Sequence, residues 1–166
     1  MAPDEPEKAR RKAYRLLAFR SHSEEELEAK LKAAGFSEAA AVGALARCRE
    51  LGYLDDEKYA RQRARDLAVN RLYGDRRIGA DLRGKGIPEA LLREAIAEAR
   101  EELGAGEAIR RLLAKQGDAP DAALDRRRKE RLIRGLMVRG FSRGQIFSVL
   151  KDAGTGEDGF YDDDGE

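Results

Sequence analysis

Apolar residues recur along this chain with a helical period, and one pattern of them is written three times. Two large aliphatic residues stand four apart, and four positions later comes a glycine followed by another large apolar residue. The copies are Leu27…Leu31…Gly35-Phe36, Ile78…Leu82…Gly86-Ile87 and Leu132…Leu136…Gly140-Phe141. The second copy lies 51 residues after the first, and the third 54 after the second. A period of that size marks a chain of small helical modules.

The spacing predicts how each copy folds. Aliphatic residues four apart stack on one helical face. The glycine suits the left-handed position just past a helix end, and the apolar residue after it should touch the side chain three positions before the cap. Those pairs are Phe36 with Leu31, Ile87 with Leu82, and Phe141 with Leu136. Helix restarts follow at Ser37, Pro88 and Ser142, two N-cap residue types and a proline suited to the first helical position. Ser142 with Gln145, and Ser23 with Glu26, match capping boxes. Register continues at Leu45, Ile96 and Leu150. A further helix is predicted before each motif, over 8–20, 55–73 and 106–116.

No sustained strand alternation and no Asn-Gly or Asp-Gly hairpin interrupts this pattern. The predicted fold is all-α, an elongated array of three tandem three-helix repeats with about nine helices. The repeats span 8–54, 55–104 and 105–154, between a disordered N-terminus at 1–7 and an acidic disordered tail at 155–166.

Composition refines that picture. Many of the apolar residues are alanines, tryptophan is absent, and 39% of the 166 residues are charged. Thin cores follow, so neighbouring modules should lean on one another. Cys48 is alone, which excludes an intramolecular disulfide, and its place beside Leu45 reads as a small core residue. His22, the single histidine, removes any histidine-based metal cluster; between Ser21 and Ser23 it reads as a solvated loop residue. No apolar run approaches the ~20 residues that span a bilayer. A cytoplasmic location is expected.

Net charge is +1, but it is unevenly spread. Residues 105–154 carry 12 basic and 6 acidic groups, whereas 155–166 carry 6 acidic and no basic ones. One basic cluster holds Arg71, Arg76, Arg77, Arg83 and Lys85; the other holds Arg126, Arg127, Arg128, Lys129, Arg131 and Arg134. Arg127, Arg131 and Arg134 form a stripe along one helix, on a different face from Leu132, Ile133 and Leu136. Such a stripe is either a solvated face with intrahelical pairs such as Glu130 with Arg134, or a landing surface for phosphate or an acidic protein. The tail could fold back on it as a polyanion mimic or serve only solubility.

Catalytic constellations are missing. Gly84-Lys85-Gly86 lacks the strand and spacing of a nucleotide loop, and Asp55-Asp56-Glu57 reads as helix-start acids favoured by the dipole. No enzyme activity, cofactor or metal is expected. Helix, glycine turn, helix also outlines a base-reading DNA motif, which wants long polar side chains early in the second helix. Copy one offers Glu38 and Ala39–Ala41 there, and copy two Glu89, Ala90, Leu91 and Leu92; only copy three, with Arg143 and Gln145, suits such readout.

The segment joining copies one and two, Leu51-Gly52-Tyr53-Leu54-Asp55-Asp56-Glu57-Lys58-Tyr59-Ala60, closely resembles the most recognisable stretch of RecX proteins, bacterial regulators of the RecA recombinase. Gly74-Asp75-Arg76-Arg77-Ile78 to Leu82, then Lys85-Gly86-Ile87, resembles that family's middle repeat, and the likeness runs over about residues 10–153. It implies a helical protein lying in the groove of a RecA–DNA filament, inhibiting ATP hydrolysis and strand exchange. It supplies no catalytic signature, so the basic residues above are contact candidates from charge alone. The expected partners are the RecA filament and single- or double-stranded DNA, with the chain itself a monomer. A DNA-binding protein acting through phosphates and a helical adaptor for another protein are the alternatives.

Overall fold

The computed structural model describes residues 4–116 and 126–152. Among them are nine α-helices and no strand: α1 (Glu5–Phe19), α2 (Glu24–Ala33), α3 (Glu38–Glu50), α4 (Asp56–Arg65), α5 (Asp75–Arg83), α6 (Glu89–Glu102), α7 (Ala105–Lys115), α8 (Arg126–Val138) and α9 (Arg143–Asp152). They form three tandem three-helix repeats, each with its own apolar core. The acidic stretch at 155–166 lies outside the described residues, as does 117–125.

All three glycine stops form as the pattern requires. Gly35, Gly86 and Gly140 have φ of 89°, 73° and 97°. The Phe36, Ile87 and Phe141 N–H groups donate to the Leu31, Leu82 and Leu136 carbonyls at 3.3, 3.1 and 3.2 Å. Leu31 and Phe36 belong to the first core, Leu82 and Ile87 to the second, Leu136 and Phe141 to the third. Each turn therefore satisfies carbonyls that the helix end would otherwise orphan. A fourth stop of this kind closes α3 at Gly52, φ 70°, with the Tyr53 N–H donating to the Cys48 carbonyl at 2.9 Å.

Local chemistry departs from the sequence reading in several places. Helix α1 starts at Glu5, because Pro6 fits a first turn and Glu5 and Glu7 favour the dipole there. Ser142 and Gln145 make the full reciprocal box, at 3.2 and 3.0 Å. Ser23 accepts from the Glu26 N–H at 3.2 Å, but the Glu26 side chain turns away to Arg20 and Lys85, so that box is half formed. Pro88 is the N-cap of α6 with extended ψ, one position earlier than its proposed role.

The helix predicted over 55–73 ends at Arg65. A π-helical turn over Asp66–Asn70 follows, with the Arg71 N–H donating to the Asp66 carbonyl at 3.1 Å. Leu72 then takes a left-handed φ of 55°, a strained conformation for a branched residue. It is held there by burial, and the core it enters is that of the third repeat. Val69 packs against both the second and third cores, which welds these two modules together.

His22 is 3% exposed, not solvated. Its Nδ1 lies 2.8 Å from the Arg20 carbonyl, and burial lowers its pKa. Cys48 is buried in the first core as the pattern suggested.

Candidate functional site

Consecutive repeats dock in one way, used twice. The glycine turn of each repeat meets the start of the second helix of the repeat before it. At the first junction, a Cβ on Gly86 would collide with the Glu25 side chain at the start of α2. At the second, a Cβ on Gly140 would lie 2.5 Å from the Arg77 nitrogen at the start of α5. Glu26 and Arg77 hold equivalent places, 51 residues apart.

At the second junction the backbones themselves join. Gly74 has no side chain to cap α5, and instead its N–H donates to the Arg139 carbonyl at 2.9 Å, while the Arg76 N–H donates to the Gly140 carbonyl at 3.2 Å. The open donors of one helix start are thus met by the open acceptors of another helix end. A Cβ on Gly74 would strike the Gly140 backbone, so this approach needs glycine on both sides. Arg100 on α6 secures the joint. It is paired to Asp75 at 2.7 Å, donates to the Tyr73 carbonyl at 2.6 Å, and lies 6.0 Å from the Phe141 ring centre.

This docking opens a groove of about 470 Å³ lined by Tyr73, Arg77, Arg131, Arg134, Gly135, Val138 and Arg139. A second hollow continues from it along α8, past Arg127 and Arg128 to Gln116 at the end of α7. The Arg77 guanidinium sits over the Tyr73 ring at 4.1 Å and that of Arg139 at 5.7 Å. Arg139 also donates to the Arg71 carbonyl at 3.1 Å. The ring face, being electron-rich, holds these cations without cancelling their charge as a carboxylate would. Arg77, Arg127, Arg131 and Arg134 are exposed and make no ion pair among the described residues.

The basic residues named from sequence therefore separate into groups. Arg77 comes together with Arg127, Arg128, Arg131 and Arg134 although they stand some fifty residues apart in sequence. Arg76 and Arg83 lie on the face between α5 and α6, where Asp75 and Glu89 sit among them and Arg83 pairs with Glu89 at 3.0 Å. Arg71 pairs with Asp66 at 3.3 Å, Lys85 with Glu26 at 3.5 Å, and Arg126 with Glu130 at 3.1 Å, so Glu130 serves Arg126 rather than Arg134.

Tyr73 and Arg139 escaped the charge-based selection. Aligning the repeats gives the missing signal, since Arg139 occupies the pre-glycine place that Lys85 holds in copy two. Base readout through copy three is weakened, because Gln145 is engaged with the Ser142 N–H and with Asp75 at 3.4 Å. Among the described residues no group of side chains could hold a metal ion, and no helix is long and apolar enough to cross a membrane.

Fold and groove together define a tandem helical-repeat protein whose second module junction is cationic. Family models for the first and second three-helix domains of RecX match residues 9–48 and 55–96. The chain is 33% identical over 141 residues to regulatory protein RecX of Syntrophotalea carbinolica, covering 84% of this chain and 92% of that one. To the protein of the same name from Mycolicibacterium vanbaalenii it is 32% identical over 149 residues, covering 87% and 81%. The crystal structure of RecX from Lactobacillus salivarius superposes with a TM-score of 0.79 at 20% identity, covering 91% of this chain and 97% of that one, a likeness of fold. Another RecX crystal structure gives 0.75 at 27% identity, covering 90% and 72%. The chain belongs to the RecX family of regulatory proteins.

Proposed function

We propose that this chain is a non-catalytic regulator of RecA that lies along the groove of the RecA–DNA filament and restrains ATP hydrolysis, filament extension and strand exchange. Its setting would be cytoplasmic DNA repair, homologous recombination and the SOS response. The observation that carries this reading, beside family membership, is the groove at the second junction. Its exposed guanidiniums have no carboxylate among the described residues to neutralise them. A filament offers them acidic protein surface and phosphate in a repeating array, which a repeated protein can follow.

The test is DNA-dependent ATP hydrolysis by RecA of the same organism, with this protein titrated in. Inhibition well below one molecule per RecA subunit supports action on filaments; no effect at any ratio rejects the assignment. The same guanidiniums favour a second reading, non-specific binding to DNA phosphates. That reading requires inhibition only at excess, relieved by more DNA, and naked-DNA affinity falling with salt at a slope of about −0.9 per neutralised duplex phosphate.

A further inference from the structure

Residues 155–166 hold Glu157-Asp158, then Phe160-Tyr161, then Asp162-Asp163-Asp164 and Glu166, with no basic residue. Two acidic runs thus bracket a pair of aromatic rings. The groove at the second junction is the counterpart of that arrangement. Arginines 77, 127, 131 and 134 stand around an apolar floor of Tyr73, Gly135 and Val138, and Val138 is 70% exposed.

The connection is short enough. Helix α9 ends at Asp152, whose carboxylate lies 3.8 Å from Arg110 on α7. Gln116, at the end of α7, lines the groove's extension. At 1.5 Å of rise per residue, Arg110 and Gln116 are only about 9 Å apart along the helix axis. Fourteen residues from Asp152 to Glu166 reach up to about 46 Å when extended, and α8 itself is about 20 Å long. Every arginine of the groove is therefore in range. A tethered segment acts at an effective concentration of the order of millimolar, so weak intrinsic affinity is enough to occupy the groove.

We propose that residues 155–166 are an internal competitor for this groove, their carboxylates on the α8 arginines and Phe160-Tyr161 against Tyr73 and Val138. External polyanions then bind only by displacing them. The proposal rests on the groove being an anion contact, though not on the identity of the regulated partner.

A cycle of variants in the full chain tests it, with a fluorescein-labelled oligothymidylate of about twenty nucleotides as the probe. One variant neutralises the segment, with Glu157→Gln, Asp158→Asn, Asp162→Asn, Asp163→Asn, Asp164→Asn and Glu166→Gln. The second changes the groove, with Arg127→Gln, Arg131→Gln and Arg134→Gln. The third combines them. Neutralising the segment should tighten probe binding about fivefold or more at low salt. In the groove variant the same neutralisation should change nothing, and raised salt should shrink the effect in the parent.

An unchanged affinity on neutralisation overturns the proposal while leaving the groove reading intact. An equal gain with and without the groove arginines also overturns it, since the segment then acts through net charge alone. A groove variant that binds the probe as tightly as the parent sinks the groove reading itself, and the proposal with it. A gain that depends on protein concentration, with dimers in sedimentation, moves the contact to a second copy and overturns the internal assignment.

Discussion

The two module junctions are built on one plan and differ in what fills it. At the first, Glu26 receives Arg20, and Lys85 lies 3.5 Å away, so the carboxylate is held near a pKa of about 2 and both cations face a carboxylate within the joint. The Glu24 N–H at the start of α2 is met by the Asp56 side chain at 2.8 Å. At the second, Arg77 stands where Glu26 stood, Tyr73 where His22 stood, and Arg139 where Lys85 stood. Backbone carbonyls replace the capping carboxylate, and an aromatic ring replaces the paired acid. A reversed charge at one repeat position thus turns a closed polar joint into an open cationic groove. Leu72 and Val69 then add the apolar cement that the second joint needs.

Glycine substitutions should separate the two junctions most strongly. Gly140→Ala should cost more than about 3 kcal/mol, at the high end for single substitutions, because its Cβ meets fixed backbone of Arg77. Gly86→Ala should cost somewhat less, since the Glu25 carboxylate can swing aside and only the Glu25 Cβ, 2.7 Å away, forces α2 to shift, although φ is +73°. Gly35→Ala, with open space around it, should show only the left-handed strain of about 1–2 kcal/mol. Denaturant unfolding of the three variants checks the order. Equal losses at all three positions would mean that the turns cap helices but do not join repeats.

Charge reversal comes next. Arg77→Glu restores at the second junction the pairing seen at the first, with Arg139 facing it as Lys85 faces Glu26. Polyanion binding should fall about tenfold, equivalent to about 1.4 kcal/mol, with little loss of thermal stability. Fluorescence anisotropy with labelled DNA, beside a melting curve, reads both.

Acid should loosen the first junction. Burial lowers the pKa of His22 below its usual 6.5, so the unfolded chain takes the proton first and stability falls as pH drops below that value. Glu26 acts in a lower range: its contribution is whole above 4.5 and is lost as pH falls toward about 2. Melting temperatures from about pH 7.5 to about pH 5.5 should decline less in His22→Asn than in the parent. An identical decline would assign the acid sensitivity elsewhere. The smallest effect belongs to Lys85→Ala, at or below about 1 kcal/mol for a partly exposed ion pair. Its binding to polyanions should match the parent's.

Much of this was legible in the sequence because helix stops are local. A glycine, the residue after it and two aliphatic positions specify each turn within ten residues, and all three formed. The break in the helix predicted over 55–73 was not legible, since its cause is long-range. Leu72 leaves helical geometry to enter a core supplied by α7, α8 and α9. His22 misled for the same reason: Ser21-His22-Ser23 reads as a solvated loop until its burial is seen. Charge runs located Arg77 and the α8 stripe, but only docking across the glycine pair Gly74 and Gly140 shows that they share one groove. Arg139 is marked only by its match to Lys85 in copy two, Tyr73 by no run or motif, and their contact exists only in the assembled junction.

The second junction, and not the first, is the proposed contact surface. Inhibition of RecA ATP hydrolysis by Arg77→Glu, compared with the parent and with Lys85→Ala, tests it directly. Arg77→Glu should lose inhibition at unchanged melting temperature while Lys85→Ala keeps it. Full inhibition by a folded Arg77→Glu variant would contradict it.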